Sequence, residues 1–235
     1  MSFLTAEWRK LAFANYLIDP QLLKSYLPPK TELDLWQGNC FVSLVGFRFV
    51  NTKLLGIPIP FHRNFEEVNL RFYVRYKDGD KWKRGVVFIK EIVPKPALTF
   101  VANTIYKEHY QTLKMSHRWE EFADYRTVDY RWVMAGREQS FSINADLQSG
   151  EIDAGSEEEF ITEHYWGYTK ADATSSYEYE VTHPRWECYT VKDYQVNVDF
   201  GLVYSKEFSM LSEAKPTSVL LAKGSEITVE GKRKI

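Results

Sequence analysis

The feature that most constrains the fold is a stretch of alternating side chains followed by a turn and a second apolar segment. Over residues 68–76, side chains such as Leu70 and Phe72 alternate with polar ones, which is the pattern of a β-strand with two different faces. The Asp-Gly pair at residues 78–79 is typical of a hairpin turn, and a second strand is expected from about residue 82 to residue 93. The segment predicts an antiparallel hairpin and a fold built mainly from sheet.

Strand and turn patterns elsewhere extend this prediction along the chain. Of the 235 residues, 16% are aromatic, and aromatic side chains favour strands and pocket walls. No linker divides the sequence, so we expect residues 1–235 to form one domain. The predicted class is α+β, mainly β: a single-domain antiparallel β-barrel or sandwich with a few short helices. Strands are predicted at 39–50, 126–134, 138–147, 177–181 and 186–198, a turn at Gln148-Ser149-Gly150, and a final hairpin of 218–222 and 226–229 around Lys223-Gly224-Ser225.

Capping patterns predict two short helices. Asp19 is a good N-cap and a proline follows it at the first helical position, so a helix is expected over residues 19–27. Residues 156–159 have the capping-box pattern, and a second helix is expected to begin there. The segment 97–106 is either a helix or another apolar run.

The overall composition excludes several classes of protein. The net charge of −2 offers no basic excess for neutralising phosphates, so nucleic acid is not expected as a partner. The sequence has no apolar run of about 18 residues, and its N-terminus lacks the pattern of a signal peptide. Its two cysteines, Cys40 and Cys188, suggest no disulfide framework. We therefore expect a cytoplasmic protein that does not associate with membranes.

One face of the first strand of the hairpin carries an unusual set of polar groups. This face is either the solvated outer side of an edge hairpin or the polar wall of an otherwise apolar cavity. In the second case Glu67 is an acid–base group or a charge partner, and Arg71 holds a carboxylate in bidentate fashion. The residues on this face are Glu67, Asn69, Arg71 and Tyr73.

Lys95 lies between two prolines directly after the second strand. Neither proline donates a backbone N–H, so the strand is expected to end here and a stiff turn presents the lysine. Such a lysine either lies in solvent or is a reactive amine held in a cleft. An amine that attacks a carbonyl must be unprotonated, which requires burial or a nearby cation. The residues alone leave both alternatives open.

Histidines next to large aromatic side chains form a further candidate for ligand binding. His164 and Trp166 lie in the run His-Tyr-Trp-Gly-Tyr, and His183 precedes Pro-Arg-Trp. Each histidine is either a hydrogen-bonding group in a pocket or a core side chain with one satisfied nitrogen. The five histidines lack metal-ligand spacing, and no dinucleotide, phosphate-loop or nucleophile motif occurs. No metal and no cofactor is expected.

Five separated motifs, in order, resemble the DUF2071 family, a bacterial family of uncharacterised proteins that includes the YqjF-like proteins. The resemblance extends over nearly the whole chain, since the segment from Trp8 to Tyr16 fits it as well. The motifs are FEEVNLRFYVR at 65–75, RGVVFIKEIVPKPALTFVAN at 84–103, TEHYWGYT at 162–169, VTHPRW at 181–186 and PTSVLLAKGSEITV at 216–229.

This resemblance implies the fold of the acetoacetate decarboxylases, a β-rich domain around a cavity. In the decarboxylase pattern, a strand ends in a glutamate and leads to a Pro-Lys-Lys whose first lysine forms a Schiff base. Here Lys95 falls on that reactive lysine, whereas the second lysine, which makes the first one reactive, is replaced by Pro96. Glu67 is similar to an acidic position of the decarboxylase cavity. The resemblance thus implies a cavity, and a catalytic role for Lys95 and Glu67.

Three functions remain as alternatives. The first is a lyase acting on a small oxo-acid, with Lys95 as the Schiff-base nucleophile, Glu67 as the proton donor and Arg71 on the substrate carboxylate. The second is a non-catalytic small-molecule binding protein that uses the same aromatic-lined cavity, and the replacement of the second lysine favours it. The third is an interaction role as a homo-oligomer formed through exposed aromatic strands.

Overall fold

The predicted hairpin lies at the centre of the structure, a computed structural model that describes residues 2–235. Strand β5 (Phe65–Asp78) pairs antiparallel with β6 (Lys81–Val93) across a turn in which Gly79 has a φ of +60°. Glycine adopts this conformation without the steric cost of a Cβ, so the Asp-Gly pair suits the turn. The other strands are β1 (Leu4–Leu17), β2 (Thr31–Leu33), β3 (Phe41–Leu54), β4 (Ile57–Pro58), β7 (Tyr110–Thr112), β8 (Met115–Glu121), β9 (Arg126–Met134), β10 (Arg137–Glu151), β11 (Trp166–Lys170), β12 (Ser176–Thr182), β13 (Glu187–Asn197), β14 (Ser218–Val229) and β15 (Arg233–Lys234).

The helices are short and lie in the connections between strands. The helix predicted at residues 19–27 begins as expected, because the Asp19 side chain accepts a hydrogen bond from the Gln21 N–H at 2.9 Å, but it has only four residues. The capping-box helix also begins as expected, with the Ser156 hydroxyl accepting from the Glu159 N–H at 3.1 Å. The helices are α1 (Pro20–Leu23), α2 (Pro96–Val101), α3 (Glu157–Thr162) and α4 (Phe200–Val203), with a π-helical turn at Ala102–Tyr106 and a 3₁₀ helix at Lys206–Ser212.

Seven strands form a closed ring. Successive neighbours are β12, β11, β6, β5, β3, β1 and β14, and the pairing of Val181 in β12 with Val229 in β14 closes the circle. All of these pairings are antiparallel except the one between β6 and β11, where Gly85 lies opposite Trp166. The ring therefore has an inner and an outer face, and the side chains of each strand alternate between them.

The remaining long strands cover the outer face of the ring. Strands β13, β10, β9 and β8 continue the sheet from β14, and they fold back so that Tyr130 and Phe141 pack against the ring. Phe200 and Phe208, from α4 and the 3₁₀ helix, complete this first core. A second core, which includes Phe47, lies on the inner side of the ring. The predicted mainly β, antiparallel α+β class is confirmed.

An extra residue in β6 determines which of its side chains face into the ring. Leu70 pairs with Lys90 and Arg71 pairs with Phe88, so Ile89 is a bulge without a partner on β5. The bulge shifts the alternation by one position, and Glu91 therefore points inward. The Lys90 ammonium instead donates to the carbonyl oxygen of Val203, in the first core.

Two predicted turns are wrong. Residues 148–150 do not turn, because β10 continues to Glu151 and pairs with β13 through an irregular register. Residues 223–225 do not separate two strands either, since β14 is one strand along its length. Gly224 has a φ of +77° and a Cβ there would lie 1.9 Å from the Trp8 carbonyl oxygen, so glycine is needed because β14 lies so close to β1 at this point, and the chain does not reverse.

No helix within residues 2–235 is long and apolar enough to span a bilayer.

Candidate functional site

The ring of strands encloses a cavity of about 270 Å³. All seven strands contribute to its lining, which is predominantly apolar and aromatic. Its volume is close to the lower end of the range for small-molecule sites, roughly 300–1,000 Å³. The phenylalanine and tryptophan side chains in the wall are Phe3, Trp8, Phe47, Phe49, Phe65, Phe88, Trp166 and Trp186, and its tyrosines are Tyr106, Tyr110 and Tyr179.

Two exposed segments contribute to the lining of the cavity. Ile59, in the connection between β4 and β5, and Ala97, in α2, are both exposed and both line the cavity. Val101 of α2 also lines it, whereas the neighbouring Phe100 does not and is 71% exposed. The cavity therefore reaches the surface beside Ile59 and Ala97.

Three buried glutamates lie in the polar part of the wall. Glu67 of β5 accepts hydrogen bonds from the Asn69 amide (3.0 Å) and from the Tyr110 hydroxyl (3.1 Å). Glu108, just before β7, accepts from the hydroxyl of Tyr179 at 3.0 Å. Glu91 completes the set and lies opposite both Asn69 and Tyr110 in the strand register. We call Glu67, Glu91 and Glu108 the carboxyl cluster.

Burial raises the pKa of each carboxyl in this cluster. The pKa of Glu67 rises to about 7, although its two hydrogen bonds and the charge of Arg71 oppose the rise. The pKa of Glu108 rises to about 8, mainly through burial, with the charge of Glu67 adding to it. Burial, and then the charges of Glu108 and Glu67, hold the pKa of Glu91 well above its ordinary value. Near neutral pH the cluster therefore retains protons.

Two oxygens in this region lack a hydrogen-bond partner. They are Oε2 of Glu91 and Oδ1 of Asn69, and their side chains are 2% and 1% exposed. Both residues line the cavity. Buried polar atoms are normally satisfied, so two unpartnered oxygens beside one cavity indicate a place for a hydrogen-bonding ligand.

Arg71 lies on the same face of β5, farther along the cavity. Its guanidinium donates to the carbonyl oxygen of Ile161 in α3 at 3.2 Å and contacts the rings of Phe13 and Tyr73. Its Nε has no hydrogen-bond partner. The group is therefore fixed by its contacts but keeps a free donor beside the cavity.

His164 is fixed by a buried carboxylate. Its Nε2 lies 3.1 Å from Oδ2 of Asp34, which also accepts from Nε of Arg84 at 2.7 Å. Burial is the main cause that lowers the pKa of His164 to about 4. The neutral ring therefore donates through Nε2, and its unpartnered Nδ1 is an acceptor in the cavity wall.

The other predicted binding residues occupy different positions around the cavity. Trp166 and His183 line it, and the His183 ring stacks on Trp186 with centroids 4.1 Å apart. Tyr73 is buried next to the cavity without lining it, because its hydroxyl is 2.7 Å from the Ser43 hydroxyl and its ring packs against His164.

Lys95 does not line the cavity. It is half-buried at the N-terminus of α2, with extended backbone between its two prolines. The residues on either side of it, Glu91 in β6 and Ala97 in α2, do line the cavity. Within residues 2–235 the lining includes no lysine, and Arg71 is its one Lys or Arg side chain.

The structure thus brings six predicted residues to one cavity, and it adds four that the sequence analysis did not select. Glu91 had a usable signal, because it is an acid within the apolar run from Val86 to Val93. No sequence pattern indicated Glu108, Tyr110 or Tyr179. They reach the cavity because of the course that the chain takes after the π-helical turn and along β12. The six predicted residues are Glu67, Asn69, Arg71, His164, Trp166 and His183. Within residues 2–235, no group of three or more His, Cys, Asp or Glu side chains converges as metal ligands would.

Comparison with known proteins places the chain in a family. The model of the DUF2071 family, described as an uncharacterized conserved protein, matches residues 5–226. The uncharacterized protein YqjF of Bacillus subtilis (strain 168) is 35% identical over 82 residues, which are 34% of this chain. That alignment covers 32% of YqjF, so the chain matches about a third of the length of this curated relative.

Solved structures show the same fold at low sequence identity. The enduracididine biosynthesis enzyme MppR, complexed with pyruvate, aligns with a TM-score of 0.68 and 12% identity over 100% of this chain and 91% of that one. Acetoacetate decarboxylase from Legionella pneumophila gives a TM-score of 0.65 and 14% identity, covering 98% and 86%. An acetoacetate decarboxylase-like enzyme from Sphingomonas wittichii RW1 gives 0.67 and 11%, covering 100% and 94%. The chain therefore belongs to the DUF2071 family and has the acetoacetate decarboxylase-like fold.

Proposed function

We propose that this protein binds a small, largely apolar organic molecule inside the ring of strands. The observation that carries the proposal is a cavity with an apolar wall in which a few buried polar atoms lack partners. Apolar walls supply affinity through burial, and a few fixed polar groups orient the ligand. This is the non-catalytic alternative that the sequence left open.

Blocking the cavity beside α2 tests this proposal. Val101→Trp places a large indole ring in the part of the lining that α2 supplies, whereas Phe100→Trp places the same indole one residue away, where the side chain is exposed. We expect fragments such as 2-phenylethanol to raise the melting temperature of the wild type and of Phe100→Trp, but not that of Val101→Trp. Equal responses from the three proteins, or no response from the wild type, would refute binding in this cavity.

A second candidate is the Schiff-base lyase, with Lys95 as nucleophile and Glu67 as proton donor. The observation in its favour is that Lys95 joins a strand and a helix that both line the cavity. In this reaction the Lys95 Nζ attacks the carbonyl carbon of an oxo-acid and water leaves as the C=N bond forms. Arg71 would hold the substrate carboxylate, and the lysine side chain would have to turn inward.

Borohydride trapping distinguishes this second candidate. The protein is incubated with pyruvate or acetoacetate, the C=N bond is reduced, and the modified residue is located by mass spectrometry. A reactive Lys95 gives an adduct in the wild type and in the exposed-site control Lys53→Arg, but not in Lys95→Arg. Modification spread over surface lysines, or none at all, would reject the lyase and leave the binding proposal intact.

A cytoplasmic location and a homo-oligomer stay predictions from the sequence. Cell fractionation with a tagged full-length chain tests the location. Light scattering at several protein concentrations tests the oligomeric state.

A further inference from the structure

We infer that the ligand carries a cationic nitrogen, an ammonium or amidinium group, which lies against the carboxyl cluster. This inference rests on the proposed function, because it assigns the chemical class of the molecule bound in the same cavity. It concerns one end of the cavity, where β5, β6 and β7 lie side by side.

Two polar atoms are left without a hydrogen-bond partner at this end of the cavity. Oε2 of Glu91 and Oδ1 of Asn69 are both buried oxygens, and both residues belong to the lining. When Glu91 is ionised both oxygens are acceptors, so a ligand that satisfies them must supply donors. A cationic nitrogen carries two or three N–H donors and no acceptor, which suits a site with an excess of oxygens.

The balance of charge at this end of the cavity also favours a cation. Three carboxyl groups influence one another at this end, since the charges of Glu67 and Glu108 both act on Glu91. None of the ion pairs within residues 2–235 includes a member of the cluster. The other titratable groups facing them are two phenols, Tyr110 and Tyr179, which donate hydrogen bonds. Buried carboxyls without a cation retain protons, and an incoming cation replaces them.

Arg71 does not supply the missing cation. Its guanidinium is held by the Ile161 carbonyl oxygen and by the rings of Phe13 and Tyr73. It lowers the pKa of Glu67 through its charge but forms no ion pair with that carboxylate. The positive charge that the cluster lacks must therefore come from outside the chain.

The test compares two probes of the same shape by isothermal titration calorimetry. At pH 8, 2-phenylethylamine carries an ammonium group, whereas 2-phenylethanol has a neutral hydroxyl at the same place. We expect the amine to bind wild-type protein about tenfold more tightly or better, because hydrogen bonds to charged groups are roughly twice as strong as neutral ones. Its affinity should rise from pH 6 to pH 8 with release of protons to the buffer, whereas that of the alcohol should stay constant.

Glu91→Gln preserves the shape of the site and removes one carboxyl, and Glu226→Gln, at an exposed position of β14, is its matched control. The preference for the amine should fall in the first variant and persist in the second. Wild-type protein that binds the two probes equally, without proton release, would overturn the inference while leaving small-molecule binding intact. Failure of wild-type protein to bind either probe would overturn both.

Discussion

Replacing Glu108 by glutamine should stabilise the protein at alkaline pH. Burial raises the pKa of this carboxyl to about 8 from an ordinary value of 4.5, so the folded state binds a proton that the unfolded state has released. The contribution of Glu108 to the free energy of unfolding is therefore most favourable below about pH 4.5, and this contribution is lost as the pH rises through about 8. Glutamine carries no charge at any pH and can still accept the hydrogen bond from Tyr179.

The raised pKa sets the size of this effect. At about 1.4 kcal/mol for each pKa unit, the rise from 4.5 to about 8 corresponds to about 5 kcal/mol of lost stability at most. Water that enters the cavity reduces this penalty, so we expect about 2–5 kcal/mol of gain for Glu108→Gln above pH 8. In a chain of this size each kcal/mol shifts the melting temperature by about 2–4 °C.

Thermal unfolding from pH 4.5 to pH 9 is the assay. The melting temperatures of wild-type protein and Glu108→Gln should be similar at pH 4.5 and should separate as the pH rises. The exposed control Glu226→Gln should follow the wild type throughout. Parallel curves for wild type and Glu108→Gln over the whole range would refute the assignment of a buried, proton-retaining carboxyl.

Three further changes test other parts of the structure. Gly85→Ala should destabilise the protein by about 1–3 kcal/mol or more in chemical denaturation, because the added Cβ would lie 2.4 Å from the Trp166 carbonyl oxygen. Gly150→Ala is the control, since no heavy atom lies within 4 Å of a Cβ at that position. Tyr110→Phe should raise the pKa of Glu67 further, because the carboxylate loses the hydrogen bond from the Tyr110 hydroxyl. NMR of the carboxyl carbon measures this pKa, and an unchanged value would show that the hydrogen bond is absent. The His164 imidazole should stay neutral until about pH 4, which proton NMR can measure, and titration near pH 6.5 would contradict its burial. The free energy of unfolding should fall as the pH drops from about 6.5 towards 4, because the histidine gains its proton in the unfolded state first.

The sequence predicted local structure well where one interaction decides it. The turn at Gly79 and the helix starts at Asp19 and Ser156 depend on neighbouring residues only. The predicted turn at Gly224 failed because the role of that glycine depends on β1, more than 200 residues away in the chain. Glycine signals a special backbone conformation but does not say whether a turn or a close contact requires it.

The candidate site was predictable where one strand carries it. Alternation in β5 brought Glu67, Asn69 and Arg71 to one face, and the structure puts that face on the cavity. Tyr110, Tyr179 and Glu108 come from β7, β12 and the segment before β7, and no pattern in the sequence indicates how these segments approach β5. Lys95 was predicted from a motif resemblance and not from alternation along a strand. Such a resemblance gives the position of a residue in the chain but not the direction in which its side chain points.

The bulge at Ile89 has a consequence for how related chains can differ. Residues 90 and 91 carry opposite charges, and the unpaired Ile89 leaves Lys90 opposite Leu70 and Glu91 opposite Asn69, so that the carboxylate and not the amine enters the cavity. Loss of the codon for Ile89 would remove the bulge and preserve both of these pairings, so the carboxylate would still face inward. A related chain that is one residue shorter here therefore keeps the same acidic wall, and an alignment shows this only when its gap lies at residue 89.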